Sequence, residues 1–73
     1  MSTFATRLKL CRQSKGITQA QAAEAFSIGS RHWQAYEGGT RTPTFDGLIQ
    51  IADFFNVSID WLVGRTDNPK INQ

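Results

Sequence analysis

Apolar side chains recur three or four positions apart along most of this chain, which is the spacing of an α-helix. Two apolar stripes are clear, and they are formed by Phe4, Leu8 and Cys11 and by Leu48, Ile51, Ala52 and Phe55. No segment has the alternating pattern of a strand. The sequence therefore predicts an all-α fold with five helices.

Capping residues and glycines set the limits of the five predicted helices. The first is capped by Ser2 or Thr3 and ends at Gly16, the second runs from about Thr18 to Phe26, the third ends at Gly38 and Gly39, the fourth lies between Thr44 and Asn56, and the fifth lies between Ser58 and Gly64. We expect residues 1–64 to form one domain and residues 65–73 to be a flexible C-terminal tail.

Residues 18–37 carry the most informative pattern, two short helices joined by a tight turn at residues 27–29. Trp33 and Tyr36 lie three positions apart, so they turn one face of the second helix inward. The strip left outside is formed by Ser30, Arg31, Gln34 and Ala35. A short helix with an exposed polar strip is the right size to enter the major groove of DNA and contact base edges there.

The composition argues against several classes of function. A single cysteine rules out an internal disulfide and fits a reducing cytoplasm, and Cys11 with the lone His32 cannot supply the four ligands of a structural zinc site. No apolar run approaches the roughly 20 residues that span a membrane, and the N-terminus does not have the pattern of a secretion signal. No catalytic constellation or phosphate-binding loop is evident, so we expect neither an enzyme nor a cofactor or small-molecule ligand.

Charge is distributed unevenly along the chain, although the net charge is only +2. Residues 1–41 carry six basic and two acidic side chains, whereas residues 42–73 carry two basic and four acidic ones. The predicted two-helix unit lies in the basic part. A polyanion such as DNA would therefore be attracted to that part of the chain.

The chain resembles the phage repressor and Cro type of helix-turn-helix family, also called the XRE family. The resemblance rests on an ordered series of short motifs at family spacing, which together cover about residues 4–64. They include Gly16-Ile17-Thr18-Gln19, Ala23-Glu24, Tyr36-Glu37-x-Gly39, Arg41-x-Pro43, Leu48-x-x-Ile51-Ala52 and Asn56-Val57-Ser58-Ile59-Asp60-Trp61-Leu62-Val63-Gly64. The resemblance implies a compact five-helix bundle of the lambda repressor-like type, with its third helix in the major groove, and a homodimer on near-palindromic double-stranded DNA.

The resemblance also implies roles for individual residues. Family positions that face bases are held by Gly29, Ser30, Arg31 and Ala35, and the exposed Gln34 is a further candidate. Family positions that contact the DNA backbone are held by Gln19, His32, Thr40 and Arg41. Arg12 and Glu37 match a pair that joins the first and third helices. Ser27 departs from the family, because the turn position that it holds is usually a glycine.

Two functions remain open from the sequence. The first is a cytoplasmic, sequence-specific regulator of transcription, a repressor of phage, prophage or plasmid type that occupies an operator. The second is an antitoxin-like module that binds a protein partner and regulates its own operon. A dimer contact is expected around Ile59, Trp61, Val63 and the tail, unless Trp61 faces the core instead.

Overall fold

A computed structural model describes residues 3–71, and these contain five α-helices and no strand. The helices are α1 Thr3–Ser14, α2 Gln19–Ala25, α3 Ser30–Gly38, α4 Phe45–Phe55 and α5 Ile59–Leu62. The prediction of an all-α chain with five helices is confirmed. Thr3 is already helical, and Ser2, the other predicted cap of the first helix, lies outside the described residues. Among the described helices, none is long and apolar enough to cross a membrane.

Three helices begin at the capping residues that the sequence predicted. Thr18 forms the expected capping box with Gln21: the Gln21 N–H donates to Thr18 Oγ1 at 3.1 Å, and the Thr18 N–H donates to Gln21 Oε1 at 2.8 Å. Thr44 and Ser58 cap α4 and α5 through their hydroxyl oxygens, each accepting a backbone N–H. Each bond satisfies a donor that a helix N-terminus otherwise leaves unpaired.

The chain divides into two units, and the division falls between Thr42 and Pro43. In the first unit α1 and α2 both pack against α3. Trp33 of α3 is completely buried, and its ring stacks on Phe26 with the ring centroids 5.5 Å apart. The other buried residues of this unit are Phe4, Ala5, Leu8, Cys11, Ala22, Ala23 and Tyr36. This core anchors the inner face of α3.

Cys11 lies inside the first unit as a free thiol. Burial raises the pKa of the thiol, because a low-dielectric environment disfavours the thiolate. Since the thiolate is the reactive form of cysteine, Cys11 behaves here as a small apolar core residue, as the sequence predicted.

The second unit contains α4, α5 and the segment that follows them. Its buried residues are Ile51, Ala52, Phe55 and Leu62. Asn56 ends α4 with a φ of +55°, a left-handed conformation in which asparagine is enriched. The segment after α5 returns to this unit, because the Ser58 N–H donates to the Pro69 carbonyl at 2.9 Å. The segment predicted as a flexible tail is therefore hydrogen-bonded to its unit as far along as Pro69.

Candidate nucleic-acid interface

The outward face of α3 carries the polar strip that the sequence predicted. Trp33 and Tyr36, on the opposite face, are buried. The exposed members of the strip are Ser30, Arg31 and Gln34. Ala35, the fourth predicted member, is half-buried and so is less accessible than expected. The strip therefore offers three polar side chains to a partner outside the protein.

Arg31 is an unengaged cation on this strip. Among the described residues its side chain makes no hydrogen bond or ion pair. The first turn of α3 has no acidic residue, and the carboxylate of Glu37 in the last turn is bound to Arg12. A guanidinium with its N–H donors unengaged can bind two acceptors side by side, which is the arrangement of O6 and N7 on guanine or of two phosphate oxygens.

One carboxylate connects α3 to the two other helices of its unit. Glu37, near the end of α3, accepts from Arg12 of α1 through Nε at 2.6 Å and through Nη2 at 3.2 Å. It also accepts from Nε2 of Gln19 in α2 at 3.2 Å and from Nε1 of Trp33. The side chains of Arg12 and Glu37 are only 13% and 4% exposed. The Arg12–Glu37 pair predicted from the sequence is confirmed, and it fixes α3 against α1.

The environment of Glu37 keeps its carboxyl ionised. Burial by itself would raise the pKa of this carboxyl. The hydrogen bonds from Arg12, Trp33 and Gln19, together with the charge of Arg12, outweigh burial and lower the pKa below its ordinary value. Arg12 also donates through Nη1 to the Ile17 carbonyl at 2.9 Å, so its guanidinium is satisfied inside the protein.

Sequence reasoning did not find two of the donors to Glu37. Trp33 precedes Glu37 by four positions, a spacing that places the two side chains one turn apart on the same helix face. That spacing could have identified the indole N–H as a donor. Gln19 lies 18 positions away from Glu37, and only the packing of α2 on α3 brings the two together.

Gln19 occupies the first position of α2, where the sequence predicted a phosphate contact. Its side-chain amide donates to Glu37, so the amide nitrogen is directed toward α3. The backbone N–H of Gln19 has no acceptor within the helix, because the first N–H groups of an α-helix lie ahead of any carbonyl that could bind them. A phosphate contact by Gln19 remains a prediction, and this backbone N–H is available to make it.

The loop after α3 is hydrogen-bonded to the end of that helix. The Ala35 carbonyl oxygen accepts from the N–H groups of Thr40 at 3.1 Å and Arg41 at 3.3 Å, and from Thr40 Oγ1 at 3.4 Å. Gly39 permits this reversal with a φ of +80°. Thr40 and Arg41 are exposed, and the Arg41 side chain makes no hydrogen bond or ion pair within residues 3–71. Thr40 and Arg41, which are both predicted to contact the DNA backbone, are thus held beside the C-terminal end of α3.

Two further predicted contact residues lie at the start of α3. Gly29 is its N-cap, with a φ of −74°, and no side chain caps the helix there. A Cβ at Gly29 would meet no atom within 4 Å, so neither the backbone conformation nor the packing requires a glycine. His32 is half-buried, with its ring edge-to-face with Tyr36 and the ring centroids 4.9 Å apart. The DNA contacts of both residues remain predictions.

The turn between α2 and α3 contains a strained residue. Ser27 has a φ of +56°, in the left-handed region. Its N–H donates to the Glu24 carbonyl at 3.1 Å, and the Ile28 N–H donates to the Ala23 carbonyl at 3.0 Å. A residue with a Cβ adopts this conformation at a cost of about 1–2 kcal/mol, whereas glycine adopts it readily. This positive φ is a physical reason for the glycine that the resemblance implies at this position.

The charge of the first unit favours a polyanion. Once the Arg12–Glu37 pair is set aside, five basic side chains remain in residues 1–42 against a single acidic one, Glu24. Arg31 and Arg41, two of these five, are exposed at opposite ends of α3. No group of three or more potential metal ligands occurs within the part of the chain that the structure describes. Anion binding at this surface would therefore rest on arginine, lysine and backbone N–H groups.

Comparison with known proteins gives a consistent picture. A family profile described as a helix-turn-helix domain matches residues 5–67. The chain is 40% identical over 67 residues to the HTH-type transcriptional regulator ImmR of Bacillus subtilis strain 168, covering 92% of this chain and 53% of that protein. It is 42% identical over 59 residues to the cryptic phage CTXphi transcriptional repressor RstR of Vibrio cholerae serotype O1, covering 78% of this chain and 53% of that protein.

A third relative is the uncharacterized HTH-type transcriptional regulator YqaE of Bacillus subtilis strain 168. It is 37% identical over 70 residues, which cover 96% of this chain and 60% of that protein. The chain thus spans somewhat more than half the length of the curated relatives that it matches. The similarity in each case includes the segment that forms α2, the turn and α3.

Proposed function

Because the chain belongs to the helix-turn-helix domain family, we propose that it is a sequence-specific regulator of transcription that inserts α3 into the major groove of double-stranded DNA. The match to the helix-turn-helix profile confirms the family inferred from the sequence motifs. The observation that carries the proposal is the exposed strip of Ser30, Arg31 and Gln34, on a helix whose other face is anchored by Trp33 and Glu37. The regulators and repressors among the relatives support the same function.

The dimensions of α3 suit this role. An α-helix with its side chains is about 10–12 Å in diameter and the major groove is about 12 Å wide, so α3, with nine residues and a length of about 13 Å, fits with its first turns against the bases. Arg31 supplies hydrogen-bond donors, and Ser30 and Gln34 supply both donors and acceptors. Gly29 and Ala35 have no polar side-chain atom, and the methyl group of Ala35 is suited to contact the methyl group of thymine.

Residues around α3 would hold it in register by contacting phosphates. Gln19, His32, Thr40 and Arg41 are the candidates, and the loop hydrogen bonds to Ala35 fix the backbone of the last two. Such contacts position a protein on DNA without reading its sequence. Because they neutralise phosphates and release counterions, they make affinity depend steeply on salt.

In this proposal the chain is a cytoplasmic repressor that performs no chemistry and acts by occupying an operator. A single recognition helix covers only a few base pairs, too few to address a genome. The bound form would therefore be a two-fold dimer on half-sites about 34 Å apart. Ile59 and Trp61 of α5 are half-buried and Val63 is 39% exposed, so these residues remain the candidates for the dimer contact.

Selection of bound sequences from a pool of random duplexes tests the proposal. The chain should enrich a near-palindromic motif, and the selected duplex should bind two chains. Gln13→Ala, which changes an exposed side chain of α1, is the matched control and should enrich the same motif. Binding of the pool without enrichment would contradict a sequence-specific regulator. Binding of one chain per palindrome would contradict the dimer.

A further inference from the structure

The outward strip of α3 has only two side chains that can each form a pair of hydrogen bonds with one base. Arg31 has a five-donor fork, and Gln34 has a carboxamide with both a donor and an acceptor. Ser30 has a single hydroxyl, while Gly29 and Ala35 offer no polar side-chain atom. Among the side chains of the strip, those of Arg31 and Gln34 are therefore best suited to discriminate among bases.

Both side chains are available to a partner, in contrast to those of Arg12 and Gln19 in the same unit. Neither the Arg31 guanidinium nor the Gln34 carboxamide forms a hydrogen bond or ion pair among residues 3–71, and both residues are exposed. By comparison, the Arg12 guanidinium is bound to Glu37 and to the Ile17 carbonyl. The Gln19 amide is likewise bound to Glu37. The fold thus engages Arg12 and Gln19 internally and leaves the side chains of Arg31 and Gln34 unbonded on the strip.

The spacing of Arg31 and Gln34 matches the spacing of stacked bases. Residues three apart on an α-helix lie on the same face, separated by about 4.5 Å along the axis. Successive bases on one DNA strand are about 3.4 Å apart. Two such side chains can therefore reach neighbouring base pairs from a single orientation of the helix in the groove.

We infer that Arg31 reads a guanine and Gln34 reads an adenine in adjacent base pairs, and that this dinucleotide is the part of each half-site that carries most of the specificity. The Arg31 fork donates to guanine O6 and N7. The Gln34 carboxamide accepts from adenine N6 and donates to adenine N7. This inference rests on the proposed function, since it requires α3 to lie in the major groove.

The test uses the duplex selected from the random pool and two modified duplexes. In one of them 7-deazaguanine replaces the predicted guanine, and in the other 7-deazaadenine replaces the predicted adenine. Each modification removes the N7 acceptor and leaves Watson–Crick pairing intact. The selected motif should contain adjacent guanine and adenine, and each modification should weaken binding several-fold.

Variants at Arg31 and Gln34 test which side chain contacts which base. Replacing the guanine by another base should cost the parent chain about 5- to 150-fold in affinity, and Arg31→Ala should remove that penalty while Gln34→Ala keeps it. When the adenine is replaced, Gln34→Ala should remove the loss of affinity and Arg31→Ala should keep it. Arg31→Lys keeps the charge but lacks the planar fork, and an ammonium group can still donate to guanine O6 or N7, so it should keep only part of the guanine preference. Both positions are exposed, so equal melting temperatures should confirm that the variants are folded.

The outcomes of these experiments distinguish a failure of this inference from a failure of the proposed function. Sequence-specific binding whose base preferences are unchanged in both alanine variants would overturn the inference and leave the proposed function standing. A selected motif without adjacent guanine and adenine would do the same. Failure of the chain to bind any duplex would overturn both.

Discussion

Loss of the Glu37 carboxylate should destabilise the protein more than loss of any exposed charge. In Glu37→Ala, four donor atoms lose their acceptor: Nε and Nη2 of Arg12, Nε2 of Gln19 and Nε1 of Trp33. The Arg12 side chain is 13% exposed, so its charge would remain largely buried without an opposite charge beside it. Removal of one member of a buried ion pair costs about 3–5 kcal/mol. The total stability of a domain this small is about 4–11 kcal/mol, so much of it would be lost.

A double-mutant cycle with urea unfolding measures this coupling. Arg12→Met and Glu37→Leu should each lower the free energy of unfolding by about 3–5 kcal/mol. The double variant should lose clearly less than the sum of the two, because neither charge is then left unpaired. Glu24→Ala, which removes the exposed carboxylate of α2, is the control and should change stability by less than about 0.5 kcal/mol. Purely additive losses, or a loss below about 1 kcal/mol in Glu37→Leu, would refute the assigned role of this carboxylate.

The remaining predictions concern the effect of pH on stability, the backbone conformations of Ser27, Gly38 and Gly39, and the effect of salt on DNA binding. The folded state lowers the pKa of Glu37, so its stabilising contribution should be complete above the unfolded pKa of about 4.3 and lost as pH falls through the folded value. When the free energy of unfolding is measured at several pH values, Glu37→Gln should reduce its decrease at acid pH. Ser27→Gly should raise the free energy of unfolding by about 0.5–1 kcal/mol, since relief of the left-handed strain exceeds the entropy cost of glycine, and an unchanged or lower melting temperature would contradict the strain. Gly38→Ala should stabilise by about 0.5–1 kcal/mol because its Cβ would enter open space, whereas Gly39→Ala at φ +80° should destabilise, and equal effects in thermal melts would contradict this reading. About four phosphate contacts per chain should give a log–log slope of affinity against salt near −3.6, and a titration without any salt dependence would contradict the proposed interface.

The helix limits could be predicted because they depend on local chemistry. Thr18, Thr44 and Ser58 cap helices through bonds to residues three positions later in the chain, so their roles are visible in the sequence itself. The inward face of α3 was equally accessible, because Trp33 and Tyr36 follow the helical period. Such short-range relations require no knowledge of how the helices pack.

Other features depend on packing and could not be read from the sequence. The Gln19 side chain contacts Glu37 only because α2 packs against α3, and this contact engages a donor that the sequence left available for phosphate. The return of the chain at Pro69 to Ser58 likewise joins residues whose sequence pattern gives no sign of the contact. Ser27 lies between these cases: the family comparison pointed to a glycine position, but only the structure shows the positive φ that accounts for it.

Competition between the selected duplex and a random duplex decides whether α3 reads bases through its outward strip. The competition is measured for the parent chain, Arg31→Ala and Arg41→Ala. Arg31 lies on the outward strip of α3, and Arg41 lies in the loop held at the other end of that helix. Since base contacts specify and phosphate contacts position, Arg31→Ala should remove most of the preference for the selected duplex, while Arg41→Ala should weaken binding to both duplexes by the same factor. If Arg41→Ala removes the preference and Arg31→Ala keeps it, α3 does not read the bases through its outward strip.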